Sequence, residues 1–227
     1  MLRFSRRLLT ACVFSGVAAA SAVAEQHPSI RAMSGATAVD HFARGKAALL
    51  VIDFQNEYFT GRMPIPDGAA ALANTRQLID FADRSDMPVY HVQHTAPAGS
   101  ALFAIDGQTV KFHPQMQPRS QDVVLQKNTV SVFASTDLDA RLKAAGIDTV
   151  IVSGLMTHAC VAGAARDAAP LGYTVVVASD ASATRAITGE DGRTVDKDAL
   201  HSAALASIED TFGDVMTTAQ ILQLPVR

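Results

Sequence analysis

Short apolar runs alternate with segments of helical periodicity along this chain, and this alternation constrains the fold more than any other feature. The runs predicted as strands cover residues 47–52, 88–94, 122–127, 149–152, 173–178 and 214–217. The segments predicted as helices cover residues 69–85, 137–145, 158–171 and 197–211. Continuous apolar strands that alternate with helices are typical of a parallel sheet covered on both faces. We therefore predict a three-layer α/β/α fold of the Rossmann-like, doubly wound kind.

The first 44 residues differ in character from the rest of the chain. Residues 1–7 are basic, residues 8–20 form an apolar stretch, and Ala22-Val23-Ala24 matches a cleavage pattern, so residues 1–24 are predicted to be a bacterial export signal. Ser5-Arg6-Arg7 also resembles a twin-arginine signal. Residues 25–44 are polar and irregular and are predicted to be an arm or linker, which leaves residues 45–227 as one domain. The mature protein is expected to be periplasmic or secreted, with no membrane segment.

Composition narrows the possible partners. The net charge is −3 and no long basic run occurs, which argues against a nucleic-acid partner. The chain has two cysteines, of which Cys12 lies in the predicted signal, so Cys160 remains alone and the mature protein forms no internal disulfide.

Cys160 follows an apolar run, a turn that contains Gly154, and small residues predicted to begin a helix. The unpaired N–H groups and positive dipole end of a helix favour a thiolate over a thiol. The alternative is a buried cysteine that acts as a small hydrophobic residue.

Polar residues at three strand ends point to a site. Asp53 and Lys127 end two apolar runs, and Cys160 comes one turn after a third. Carboxyl ends of neighbouring parallel strands meet at one crevice, so these side chains are expected to converge. Residues 95–120 contain no clear element, and a loop of that length predicts a lid or a substrate-binding segment.

In residues 50–59, 127–133, 154–161 and 178–181, the chain resembles the isochorismatase-like cysteine hydrolases, which include nicotinamidases and N-carbamoylsarcosine amidohydrolase. The resemblance covers about residues 45–220. It implies a six-stranded sheet, an Asp53-Lys127-Cys160 triad, no cofactor, a small-molecule amide as substrate, and a homo-oligomer. It also implies a cis peptide bond between Leu155 and Met156.

The resemblance implies a covalent hydrolysis of a C–N bond. Cys160 would attack a carbonyl carbon, and the N–H groups of Ala159 and Cys160 would stabilise the oxyanion. Asp53 would move the protons, and Lys127 would stabilise both the thiolate and the ionised Asp53. The product of the first half-reaction would be a thioester.

The nicotinamidases of this family bind a metal through an Asp-x-His pattern and a later histidine. Here His94 stands at the Asp position and Ala96 at the His position, while His113 could align with the later ligand. His91 and His94 lie three apart on a strand and point to opposite faces, which disfavours a shared metal. We expect no metal and an activity other than that of a nicotinamidase.

Candidate substrate contacts lie beside the strand ends in sequence. They are Phe54, Tyr58, His94, Phe133, Leu155 and Met156. Phe54 and Phe133 are equally consistent with the core. A pocket of this composition suggests a small, partly apolar amide.

The sequence also bears on three other functions. An isochorismatase-type vinyl-ether hydrolase would use Asp53 as an acid and would need no Cys160. A non-catalytic ligand-binding protein or thiol redox sensor of the same family would be expected to lack Asp53 or Lys127, and both are present. A nucleotide-binding domain is disfavoured because no Gly-x-Gly-x-x-Gly follows the first strand.

Overall fold

The computed structural model describes residues 27–227, so the predicted export signal lies outside the described residues. Its strands are β1 (Ala47–Ile52), β2 (Val89–His94), β3 (Val123–Lys127), β4 (Thr149–Leu155), β5 (Thr174–Ala183), β6 (Ile187–Thr188), β7 (Thr194–Val195) and β8 (Asp214–Met216). Its α-helices are α1 (Ile30–Met33), α2 (Gly68–Arg84), α3 (Val132–Ser135), α4 (Leu138–Ala144), α5 (Ala162–Ala168), α6 (Lys197–Thr211) and α7 (Thr218–Gln223). Short 3-10 turns cover Asn56–Tyr58 and Pro114–Met116, and a π turn covers Thr157–Val161.

The central sheet has six strands in the order β3-β2-β1-β4-β5-β8, and every pair in it is parallel. Strands β6 and β7 form a separate antiparallel hairpin. The predicted α/β class and the six-stranded parallel sheet are confirmed. None of the helices found between residues 27 and 227 has the length and apolar character needed to cross a membrane.

The centre of the sheet is buried on both faces, which explains why β1 is apolar at every position, whereas the edge strand β3 alternates between buried and exposed residues. Successive β1 side chains alternate between two clusters, with Leu49 in the one that contains Leu72 and Leu78 of α2. Leu50 belongs to the other cluster, which is built from helices α4, α5 and α6. The pleat of a strand sends neighbouring side chains to opposite faces, so a strand covered on both sides has no polar position to offer.

The order of the strands places a topological switch point at β1. From β1 the chain moves outward to β2 and β3, and then crosses to the other side of β1 to form β4. Connections that leave β1 and β4 therefore diverge and open a crevice beyond the carboxyl ends of these strands.

Several elements differ from the predicted bounds. The strand predicted over 149–152 runs on to Leu155, and the helix predicted over 158–171 is preceded by the π turn and is α-helical only at Ala162–Ala168. Within the predicted arm, Phe42 is buried, donates its N–H to the carbonyl of Pro225, and packs edge-on against Phe81 with ring centroids 6.0 Å apart. The arm therefore contributes a side chain to the core.

Candidate active site

Asp53, Lys127 and Cys160 meet at the carboxyl edge of the sheet. Asp53 follows β1 directly, Lys127 is the last residue of β3, and Cys160 lies in the π turn after β4. Nζ of Lys127 is 2.7 Å from Oδ2 of Asp53 and 3.3 Å from Sγ of Cys160. Because β2 separates β1 from β3, only a side chain as long as lysine brings a charge from β3 to this point.

The backbone around these residues is unusual at three places. Asp53 has φ 56°, in the left-handed region that Asp tolerates better than most side chains. Gly154 has φ 147°, and a Cβ there would lie 2.4 Å from the carbonyl oxygen of Ile52, so only glycine lets the end of β4 run this close to β1. The peptide bond between Leu155 and Met156 is cis.

The three groups are almost fully buried, and burial controls their ionisation. Burial raises the pKa of the Cys160 thiol to about 12, and the negative charge of Asp53 adds to this effect. Burial also raises the pKa of Asp53, against the opposing effect of Lys127. Burial would lower the pKa of Lys127, but the neighbouring Asp53 and Cys160 outweigh it and the pKa is raised.

Burial and Asp53 thus favour the thiol form of Cys160 in the free protein. A helix start has the opposite effect, because its dipole favours the thiolate. The thiolate expected at this position stays a prediction.

The candidate oxyanion donors lie in the same turn. The Ala159 N–H donates to the carbonyl of Met156 at 3.1 Å, and the Val161 N–H donates to the same oxygen at 3.2 Å. The Ala159 N–H would thus be shared between that carbonyl and an oxyanion.

Of the six predicted substrate contacts, Phe54, Tyr58 and His94 lie at or next to this crevice, and Leu155 and Met156 form the cis peptide beside it. Phe54 is fully buried in the cluster that also contains Met156. The Tyr58 ring is buried against Phe103, and Nδ1 of His94 is 2.9 Å from Nζ of Lys127, which places His94 at the ion pair.

Phe133 is placed elsewhere. Its ring packs against that of Tyr173, with centroids 5.9 Å apart, and Tyr173 precedes the first residue of β5. This position belongs to the other end of the sheet, in the cluster of α4, α5 and α6. The core alternative therefore describes Phe133, because the short helix α3 turns its side chain away from the strand end.

Two residues of the site were missed. Phe103, from the loop over residues 95–120, is buried with its ring 4.8 Å from that of His94 and 5.4 Å from that of Tyr58. Gln55 is fully buried and bonds to both the N–H and the carbonyl of His94. An aromatic residue in a long loop and a Gln directly after the strand-end Asp53-Phe54 were the available sequence signals.

The possible metal ligands do not come together. His94 contacts Lys127, and Nδ1 of His113 accepts the N–H of Gln115 while its ring lies 4.3 Å from that of Phe59. Among residues 27–227, no group of three or more His, Cys, Asp or Glu side chains is arranged to hold a metal ion.

Comparison of the chain with known proteins identifies its family. The Isochorismatase domain family model matches residues 47–220. The secreted isochorismatase effector Isc1 of Verticillium dahliae is 33% identical over 77% of this chain and 90% of its own. A maleamate amidohydrolase of Pseudomonas putida is 29% identical over 78% of this chain and 86% of its own. A crystal structure of an isochorismatase from Pseudomonas putida KT2440 superposes with a TM-score of 0.80 at 30% identity, covering 86% of this chain and 100% of that one. The chain therefore belongs to the isochorismatase family of hydrolases.

Proposed function

We propose that this protein hydrolyses the C–N bond of a small amide through a thioester on Cys160. The observation that carries the proposal is the buried contact of three groups with complementary chemistry: a thiol, a carboxylate and an ammonium. Lys127 bridges the other two at 2.7 and 3.3 Å. A nucleophile beside a base that a third group orients is the usual arrangement for covalent catalysis.

The first half-reaction forms the thioester. Cys160 transfers its proton to Asp53 as Sγ attacks the carbonyl carbon, and the backbone N–H groups of the π turn stabilise the oxyanion. The C–N bond then breaks, and the leaving nitrogen takes the proton from Asp53. The raised pKa of Asp53 suits this role, because a carboxylate with a higher proton affinity is the better base.

The second half-reaction consumes one water. Asp53 takes a proton from the water, the hydroxide adds to the thioester carbonyl, and Sγ departs with that proton. The products are a carboxylic acid and an amine, and the enzyme returns to its thiol state. Lys127 stays charged throughout, as its raised pKa requires, and offsets negative charge first on Asp53 and then on sulfur.

Aromatic side chains next to the ion pair support a small, partly apolar substrate. The Phe103 ring packs edge-on against Tyr58 and at a tilt against His94, which contacts Lys127. The similarity to an amidohydrolase that is named for maleamate supports an amide as the reacting group. A bulky polymer would not fit a site whose nucleophile is 5% exposed.

The test is acyl-enzyme trapping on a panel of small amides that includes maleamate. Wild-type protein quenched in acid during turnover should gain the mass of the acyl group, and Cys160→Ala should gain none. Turnover in Cys160→Ala should fall by at least about 1,000-fold, because the covalent route is lost. Retained turnover in a folded Cys160→Ala variant would contradict the proposal and would favour acid catalysis by Asp53 alone.

We also propose that the mature chain is exported and begins at Glu25. The similarity to a secreted family member supports this. Intact mass of the protein from a periplasmic fraction should correspond to residues 25–227, and a full-length mass there would contradict it.

A further inference from the structure

The ammonium of Lys127 has more neighbours than protons. Nζ lies 2.7 Å from Oδ2 of Asp53, 2.9 Å from Nδ1 of His94, 3.2 Å from the carbonyl oxygen of Thr129 and 3.3 Å from Sγ of Cys160. An ammonium has three N–H donors and no acceptor capacity. The position of the Lys127 ammonium therefore depends on which of these four neighbours accept its three N–H groups.

His94 has only one role open to it in this contact. Because the ammonium of Lys127 only donates, Nδ1 of His94 must accept, which leaves the ring proton on Nε2. The His94 ring is neutral at ordinary pH, since burial and the positive charge of Lys127 lower its pKa to about 4. A second positive charge is thus kept away from the ion pair.

The His94 ring is held from several sides. The side-chain amide of Gln55 accepts the His94 N–H and donates to its carbonyl oxygen, both at 2.8 Å. The same amide donates to the carbonyl of Val110 at 2.6 Å, which ties this clamp to the loop over residues 95–120. From that loop, the Phe103 ring packs against the ring of His94. Backbone and ring are both restrained before any substrate arrives.

We propose that His94 is a positioning residue whose neutral ring accepts a hydrogen bond from Lys127 and so directs the ammonium between Asp53 and Cys160. This rests on the proposed function. An apolar residue here would remove one of the four acceptors and let the ammonium shift towards the carbonyl of Thr129, and an acidic residue would compete with Asp53 as the counter-ion. A small, uncharged acceptor meets both requirements.

The decisive comparison is His94→Leu against His94→Asn. Leucine removes the acceptor, whereas Oδ1 of asparagine stands one bond from Cγ, as Nδ1 of histidine does. In His94→Leu the rate of Cys160 alkylation by iodoacetamide at pH 9 should fall about tenfold, because a displaced Lys127 stabilises the thiolate less. His94→Asn should stay within about threefold of wild type.

Turnover provides the second readout. On any amide that the protein hydrolyses, His94→Leu should lower kcat about tenfold or more with KM nearly unchanged, and His94→Asn should recover most of kcat. A raised KM with normal kcat would overturn the proposal, since it would make His94 a substrate contact. Wild-type alkylation and kcat in His94→Leu would also overturn it.

Two further controls keep the outcome interpretable. If His94→Leu does not fold, His94→Ala removes the ring while the bonds from Gln55 to the backbone remain, and the same alkylation result is expected. The alkylation experiment needs no substrate, so it tests His94 even if hydrolysis proves independent of Cys160. Hydrolysis that does not depend on Cys160 would contradict the proposed function. The alkylation rates of Cys160 would then decide the role of His94.

Discussion

A buried carboxylate lies near each end of strand β3, and the two carboxylates differ in their partners. Near the amino end of β3, Oδ2 of Asp122 lies 3.2 Å from Nε2 of His91 and accepts the backbone N–H and Nε of Arg119 at 2.8 and 3.0 Å. Arg119 reaches on to Asp83. At the carboxyl end, the counter-ion of Asp53 is Lys127, whose Nζ lies 2.7 Å from Oδ2.

This difference separates a structural carboxylate from a reactive one. Burial alone would raise the pKa of Asp122, but hydrogen bonds from Arg119 outweigh it and the pKa is lowered. The pKa of Asp53 is raised, because its one ammonium does not compensate for full burial. A carboxylate with several donors holds its charge, whereas one with few donors can accept and release a proton. Burial outweighs the partners of Asp53, whereas the hydrogen bonds from Arg119 outweigh burial at Asp122, and this balance distinguishes the two ends.

Replacing each carboxylate in turn is the strongest test of the difference between Asp53 and Asp122. Asp53→Asn should lower kcat by about 100- to 10,000-fold, the usual contribution of a general acid–base group. Asp122→Asn, the matched control, should leave kcat almost unchanged while it reduces the free energy of unfolding. Steady-state kinetics on folded variants measures both. An Asp122→Asn variant as inactive as Asp53→Asn would remove the distinction between the ends.

Removing each cation tests how much stability depends on it. Lys127→Met leaves Asp53 buried without a counter-ion and should lower the free energy of unfolding by about 3–5 kcal/mol. Arg119→Met should cost less, because the Arg119 side chain is 32% exposed and His91 still faces Asp122. Urea unfolding of both variants gives the values. A larger loss for Arg119→Met would contradict the ranking.

The pH dependence of Cys160 alkylation tests whether the Cys160 side chain is a thiol or a thiolate in the free protein. Because burial and Asp53 raise its pKa to about 12, wild-type labelling should still be increasing at pH 10, well above the midpoint of about 8.5 expected of a free cysteine. Asp53→Asn should label faster at pH 8, since a negative charge beside the sulfur is gone. A wild-type midpoint below about 8.5 would show that the resting state is a thiolate.

We expect the two histidines of β2 to make the free energy of unfolding depend on pH, with a smaller effect than the substitutions above. Burial lowers the pKa of both His91 and His94, the latter to about 4 with help from Lys127. Below pH 6.5 the unfolded chain thus binds protons that the folded protein does not, and the free energy of unfolding falls as the pH falls towards 4. Each histidine contributes at most about 1.4 kcal/mol per pH unit. Chemical unfolding at pH 7, 6, 5 and 4 measures the slope, and His94→Asn should flatten it. A flat profile in wild type would contradict the buried neutral state.

The parts predicted well were those that local patterns encode. Apolar runs located the six strands of the sheet, and the signal is strongest for β1, because a strand buried on both faces must be apolar throughout. Asp53, Lys127 and Cys160 could be expected to converge, since residues at the carboxyl ends of parallel strands share one edge. Their roles in catalysis stay predictions that the variants above test.

The parts predicted poorly depend on contacts between distant segments. For Phe133 the sequence leaves pocket and core equally possible, and only the structure shows that the turn after β3 carries it to Tyr173. Phe103 comes from a loop with no periodicity, and its approach to His94 could not be read from either segment. His94 was considered as a metal ligand or substrate contact, and only its distance from Lys127 suggests a positioning role.

The sequence by itself determined the class of fold, the order of its elements and the three side chains that end at one edge of the sheet. Tertiary structure alone decided the surroundings that set the charge of these groups. A place at a helix start favours a thiolate at Cys160, whereas burial and Asp53 raise its pKa and favour the thiol. Periodicity and strand ends are properties of consecutive residues, whereas solvent exclusion and charge proximity arise only when separate strands are packed together.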